Sequence, residues 1–294
     1  MSKIKRTSIL VLRLLLAFIS MLVAYILSTM VIRTNIIMTP EEASQAGRAL
    51  VFASLFHALV LSFLILRSPR HGLKLVGTLI IVHFGVETFM AQIETLYFNS
   101  AVQIGIAEFV GIVAMGAVRA LIFAPLAVFI FGKMKKSAKP KEKRKAAVPS
   151  EWSKRFIALT VFYVVVYFLF GYFVAWQWEE TRLYYTGTTA IKPFIDHFWN
   201  LFIIEDPIII PFQLVRGALW TLLAMIIVRM MKAKRWEGSL AVALTFLVLF
   251  GLPLGLFPNP YMPVMVARSH FVEVSSSMLL FGGIAGWVIH SNEG

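Results

Sequence analysis

Long runs of apolar residues, separated by short polar segments, dominate this chain. Eight runs cover residues 8–32, 49–66, 75–98, 101–132, 156–178, 208–231, 239–257 and 264–290. Each is close to the length of about 20 residues that a helix needs to cross a hydrocarbon layer about 30 Å thick. Because a backbone in lipid must satisfy its own hydrogen bonds, each run is expected to be helical. The pattern predicts an all-α integral membrane protein with about eight transmembrane helices.

Composition supports this assignment. The chain has 294 residues, of which 59% are hydrophobic and 15% charged, whereas soluble domains have about 25% charged residues. The first run follows a basic N-terminus, as in a signal peptide, but it is about 25 residues long and lacks a small-residue cleavage site, so we expect it to be retained. The chain contains no cysteine, which excludes disulfides and thiolate metal sites.

The net charge of +13 is informative through its distribution. Most lysines and arginines lie before the first run, between alternate runs, and in the segment 133–155. Cytoplasmic loops of membrane proteins carry such an excess. The charge pattern predicts a bacterial-type inner membrane protein with both termini in the cytoplasm, and no nucleic acid partner is expected.

The basic segment 133–155 divides the chain into two halves, residues 1–132 and 156–294. It is too charged and too short to form a domain. We expect it to anchor the topology and to bind anionic lipid headgroups, with RNA or a protein partner as the alternative.

The two halves resemble each other in sequence. GRALVF at 47–52 is similar to VRGALW at 215–220. Phe84-Gly85 matches Phe250-Gly251, and nearly the same number of residues separates the members of the two matches. A duplicated unit with an even number of crossings gives repeats of the same orientation. The sequence therefore predicts two parallel four-helix transmembrane repeats.

The repeats differ most where the third run carries acidic residues. Glu87 and Glu94 correspond to Pro253 and Pro260 of the seventh run. Proline at this density either ends the seventh helix at a simple outer turn or breaks it beside a cavity.

The outer connection 179–207 has an apolar face formed by Phe194, Phe198, Leu201 and Phe202. This face favours an amphipathic helix lying on the outer leaflet. A lid over a cavity is the functional alternative.

Ionisable side chains inside a bilayer are costly, so each one is a candidate for function. Inside the runs they are His57, His83, Glu87, Glu94, Glu108, Arg119, His270 and Glu273; Arg48, Arg216 and Arg268 lie near the outer ends. Counting the helical rise places Glu87 and Arg119 at equal depth and predicts that they pair. Such a pair can simply fix helix packing, or Arg119 can act on a substrate anion or a proton.

Two histidine and glutamate pairs share a helical face. His83 and Glu87 are spaced i,i+4, and His270 and Glu273 are spaced i,i+3. Together they could supply four nitrogen and oxygen ligands to zinc or iron. The alternatives are protonatable pocket residues or a polar network without chemistry. No HExxH motif or phosphate-binding loop is present, and no cofactor is predicted.

The leading functional hypothesis is a protein that transports or binds a small molecule, ion or lipid in an outward-opening pocket between the halves. The predicted ligand-binding or proton-relay residues are Glu87, Arg119, His270, Glu273, His83, Glu94 and Arg216. The alternatives are an integral membrane enzyme acting on a lipid-linked substrate, and a non-catalytic subunit or assembly factor with a membrane protein partner.

Overall fold

A computed structural model describes residues 3–32, 39–135 and 149–290. Within them lie eight helices long and apolar enough to cross a membrane, as the sequence predicted. In chain order the α-helices of these residues are α1 (Lys3–Val31), α2 (Pro40–Arg67), α3 (Gly72–Phe84), α4 (Met90–Tyr97), α5 (Asn99–Val102), α6 (Ile106–Ile130), α7 (Pro149–Phe173), α8 (Glu179–Thr186), α9 (Phe194–Asn200), α10 (Ile209–Met230), α11 (Arg235–Phe246), α12 (Leu252–Leu256) and α13 (Val264–His290).

Two of the eight spans contain a π-helical segment. Gly85–Phe89 joins α3 to α4 in the third span, and Leu247–Gly251 joins α11 to α12 in the seventh. The remaining spans are α1, α2, α6, α7, α10 and α13. Wide turns of this kind occur often at functional sites.

Some helix ends differ from those expected from hydropathy. Helix α2 begins at Pro40, well before residue 49, because Thr39 and Glu42 form a capping box: the Thr39 hydroxyl accepts from the Glu42 amide at 3.2 Å, and the Glu42 carboxylate accepts from the Thr39 amide at 2.8 Å. Reciprocal bonds of this type satisfy free amides at a helix start. Hydropathy therefore located the crossing but missed the polar turn that precedes it.

Side-chain contacts tie the loops together at both ends of the bundle. At one end, Lys133 donates to the Ile65 carbonyl at 2.7 Å. At the other, the Tyr184 hydroxyl donates to the Ala101 carbonyl at 2.9 Å. We call this second end the outer end, following the orientation predicted from charge.

The helices pack in the same pairs in both halves. In the first half α1 contacts α2 and α6, and α3 contacts α6; in the second, α7 contacts α10 and α13, and α11 contacts α13. Between the halves, α2 contacts α11, α3 contacts α10, and the two π-helical segments contact each other. The halves therefore meet along their second and third spans.

The proline-rich end of the seventh span neither breaks nor ends at its first proline. Pro253 occupies the first turn of α12, directly after the π-helical segment, where its missing amide is tolerated. The helix ends at Leu256. Phe250 and Leu254, on either side of Pro253, line the cavity described below.

The outer connection forms the short helix α8 and then a continuous helical segment, in which α9 runs directly into a π-helical turn, Leu201–Glu205. Phe194, Phe198, Leu201 and Phe202 therefore lie on one helical segment, and its position on the outer leaflet stays a prediction. Phe198 of α9 packs edge to face on Phe168 of α7, with ring centroids 5.4 Å apart. Part of the connection therefore folds back onto the bundle. Residues 136–148 of the basic linker lie outside the described residues, so its binding to lipid remains a prediction.

Candidate functional site

Four side chains from four spans surround the carboxylate of Glu87: Tyr25, His57, His83 and Arg119. We call these four residues and Glu87 the histidine cluster. Glu87 Oε1 accepts from the Tyr25 hydroxyl at 2.8 Å and lies 3.1 Å from Arg119 Nη1. The predicted pair of Glu87 and Arg119 is therefore present. The Arg119 guanidinium also lies over the Tyr25 ring, 4.1 Å from its centroid, in a cation–π contact.

His57 connects this cluster to the other half of the chain. Its Nε2 lies 3.1 Å from the carbonyl oxygen of Val248, in the seventh-span π-helical segment. Because a carbonyl only accepts, Nε2 carries the proton of this bond. Nδ1 then faces inward, 3.2 Å from the Tyr25 hydroxyl and 3.6 Å from Glu87 Oε1.

His83 is the least satisfied member of the cluster. Its side chain is 1% exposed, and Nε2 lies 3.0 Å from Glu87 Oε2 in an orientation that forms no hydrogen bond. Within residues 3–32, 39–135 and 149–290, neither ring nitrogen of His83 has a hydrogen-bond partner, nor does Glu87 Oε2. One ligand atom each from His57, His83 and Glu87 lie within 4.8 Å of one another.

A cavity of about 480 Å³, which we call the outer cavity, lies between the halves at the outer end. Helices α4, α7 and α13, the seventh span and the outer connection form its wall. Thr186 and Glu205, which belong to the lining, are exposed and mark where it opens. Aromatic side chains form much of the wall: Tyr167, Phe168, Tyr172, Trp176, Phe198 and Phe250.

A chain of three polar side chains occupies one side of the outer cavity. The Tyr185 hydroxyl lies 3.0 Å from His270 Nε2, and His270 Nδ1 lies 3.0 Å from Glu273 Oε2. Burial raises the pKa of the Tyr185 phenol well above its usual value. Tyr185 therefore keeps its proton at neutral pH. Its hydroxyl and His270 Nε2 share one hydrogen bond, and His270 Nδ1 donates to the Glu273 carboxylate.

Glu94 is a further charged group in the lining of the outer cavity. It receives two hydrogen bonds from Arg216, at 2.7 and 2.6 Å, which link the third span to the sixth. Arg216 is 1% exposed and lies behind Glu94, which is 27% exposed. The neighbouring Gln92 also lines the cavity, and its Oε1 has no hydrogen-bond partner among the described residues.

The structure divides the predicted site residues between these two places. Glu94, His270 and Glu273 line the outer cavity, with Arg216 behind them. His83, Glu87 and Arg119 belong to the histidine cluster and are not among the cavity-lining residues. The expectation that one pocket holds Glu87 and Arg119 together with His270 and Glu273 is corrected accordingly.

The expected four-ligand metal set does not form either. Among the described residues, the group close enough to share an ion joins His57 to His83 and Glu87, without His270 or Glu273. Sequence spacing pairs residues on one helix and cannot detect a partner on another.

Tyr25 and Tyr185 were not anticipated as site residues. Tyr25 lies inside the first span, whereas tyrosine in membrane proteins is enriched at the membrane interfaces. That position is a signal that could have identified it.

The eight apolar helices define a multi-pass membrane protein. No family model, curated protein or solved structure matches the chain. Its function is therefore argued from the chemistry of the two sites.

Proposed function

We propose that this chain binds a small amphipathic molecule in the outer cavity and transports it. The observation that supports this proposal is a cavity between the halves that has aromatic walls, a few polar side chains and an opening at the outer end. Ligand sites generally combine a mostly apolar lining with a few polar groups that fix orientation.

The size and chemistry of the outer cavity suit a ligand with a polar head and an apolar body. Its volume of about 480 Å³ falls in the range of about 300–1,000 Å³ typical of small-molecule sites. The Gln92 carbonyl oxygen is an acceptor without a partner among the described residues, and Glu273 offers a second carboxylate oxygen. Both are acceptors for a hydroxyl or amine donor on the head group of the ligand.

We further infer that the two halves are duplicated units of the same orientation. Two observations support this. Equivalent helices pair within each half, and between the halves α2 contacts α11 as α3 contacts α10. Transporters built from repeats bind their substrate at the repeat interface. The outer cavity has lining residues from both halves, including Glu94 of the first and Glu273 of the second.

Location and orientation are part of the same proposal. The charge distribution supports an inner membrane protein with both termini in the cytoplasm, so that the outer cavity opens away from the cytoplasm. The basic linker then lies against the cytoplasmic leaflet, where anionic headgroups attract lysine and arginine.

The test uses a variant in which a larger side chain, at a glycine with free space beside it, fills part of the outer cavity. Gly171 lines the cavity, and a Cβ added there would meet nothing within 4 Å. Gly171→Leu is therefore expected to occupy ligand space without straining the helix. Gly77→Leu is the matched control, because Gly77 is also helical, has equal free space and is not among the lining residues.

The readout is native mass spectrometry of protein released from nanodiscs of phosphatidylethanolamine and phosphatidylglycerol. Wild type and Gly77→Leu should retain a small molecule or lipid at unit stoichiometry, and Gly171→Leu should lose at least nine-tenths of it. Uptake of the identified molecule into proteoliposomes then tests transport. Equal retention by both variants would contradict the proposal, and a stoichiometric protein partner in place of a ligand would favour a subunit role.

A further inference from the structure

We propose that His57, His83 and Glu87 bind one divalent transition-metal ion within the histidine cluster. The side chains come from the second and third spans, and His57 and His83 are 0% and 1% exposed. This inference is independent of the outer cavity and of its ligand.

The three candidate ligand atoms are already close together. They lie within 4.8 Å of one another, while atoms that share one zinc ion lie about 3–4 Å apart, given metal–ligand bonds of about 2 Å. Small side-chain rotations would therefore bring them to bonding distance without moving a helix.

The unsatisfied atoms of the cluster point to a missing partner. Glu87 Oε1 is satisfied by an ion pair with Arg119 and a hydrogen bond from Tyr25. Glu87 Oε2 and His83 Nε2 face each other at 3.0 Å, but neither of them, nor His83 Nδ1, forms a hydrogen bond in the described part of the chain. Leaving such groups unsatisfied costs about 1–3 kcal/mol each. A cation held between them would satisfy Oε2 and one ring nitrogen together.

The surroundings of His57 resemble the outer shell of a metal site. A metal-bound histidine usually donates its second ring N–H to a carbonyl or carboxylate, which fixes the ring and its tautomer. His57 Nε2 donates to the Val248 carbonyl oxygen at 3.1 Å, which leaves Nδ1 as the ligand atom. Tyr25 and Arg119 in turn orient the Glu87 carboxylate through Oε1.

The donor set indicates the class of ion. Two imidazoles and one carboxylate suit zinc or ferrous iron rather than calcium or magnesium, which prefer oxygen ligands. Three protein ligands leave one coordination position open. Because Arg119 already offsets the charge of Glu87, the ion is expected to keep an anionic fourth ligand.

The experiment uses the full chain in nanodiscs and Zn²⁺ as the probe. The protein is equilibrated with Zn²⁺ and washed with a weak chelator, and bound zinc is measured by elemental mass spectrometry. Wild type is expected to retain about one ion per chain. His57→Asn and His83→Gln each replace an imidazole nitrogen by a side-chain amide, which is a much weaker ligand for zinc, so each should weaken zinc binding at least tenfold.

His270→Gln and Glu94→Gln are the matched controls, because they alter the outer cavity and leave the cluster intact. Both should bind zinc as wild type does, and His83→Gln should still retain the cavity ligand. This separates failure of the metal site from failure of the proposed function.

A stability measurement distinguishes variants that fold but do not bind zinc from variants that do not fold. Zn²⁺ should raise the unfolding temperature of wild type and of both controls, and a strong chelator should reverse the rise, because a ligand that binds only the folded state stabilises it. The proposal is overturned if wild type retains no stoichiometric zinc and shows no shift. It is also overturned if His57→Asn and His83→Gln both bind zinc as wild type does.

Discussion

The third span carries two glutamates seven residues apart, and each is paired with an arginine of another span. Glu87 pairs with Arg119 inside the histidine cluster, where its side chain is 7% exposed. Glu94 pairs with Arg216 at the wall of the outer cavity, where its side chain is 27% exposed. The pairs are chemically alike, so they differ mainly in access to water and ligands.

This difference separates two possible uses of a charged group in a membrane. A closed cluster with unsatisfied nitrogen and oxygen atoms suits an ion that stays bound. An open cavity with aromatic sides and polar groups that water can reach suits a ligand that exchanges. Pairing alone therefore does not identify a binding site.

The largest difference in stability between the two pairs is expected when each arginine is replaced by methionine, which preserves much of the side-chain volume. Arg119→Met leaves Glu87 charged and closed off, and should lower the free energy of unfolding by about 3–5 kcal/mol. Arg216→Met leaves Glu94 beside the outer cavity, where water can solvate it, and should cost about 1–3 kcal/mol. Thermal or denaturant unfolding with a chelator present measures both.

A double variant sharpens this result. Glu87→Gln added to Arg119→Met removes the unpaired charge and should restore part of the lost stability, because coupled residues are not additive. A double variant as unstable as the sum of the single variants would show that the two side chains do not act as a pair.

Smaller effects are expected from removing one hydroxyl in each region. Tyr25→Phe deletes the hydrogen bond to Glu87 Oε1 and should cost about 1.5–3 kcal/mol, the range for bonds to charged groups. Tyr185→Phe deletes the contact with His270 and should cost about 0.5–1.5 kcal/mol, since water from the outer cavity can replace the hydroxyl. Equal costs would mean that the two regions are equally closed.

Much of the fold could be predicted because the length of each apolar run can be read directly from the sequence. The eight spans and the pairing of Glu87 with Arg119 follow from hydropathy and from helical rise. The π-helical segments were not predicted, since a helical period in one sequence does not reveal where a turn widens. The π-helical segments of the third and seventh spans contact each other between the halves.

Apart from the pair of Glu87 and Arg119, the candidate sites were predictable only one helix at a time. Spacing joined His83 to Glu87 and His270 to Glu273, and both pairs are close in space. It could not add His57, whose position depends on a carbonyl 191 residues later in the chain. Arg48 and Arg216 match in sequence, yet Arg216 is buried beside Glu94 whereas Arg48 is exposed and bonds to Ser44.

The difference in access between the two regions can be measured directly by cysteine labelling, because the chain contains no cysteine of its own. Val274 lines the outer cavity beside Glu273, and Val86 is buried beside Glu87. In nanodiscs, a water-soluble maleimide should modify Val274→Cys rapidly and Val86→Cys only after unfolding. Equal labelling of the two cysteines in the folded protein would contradict the distinction between an open cavity and a closed cluster.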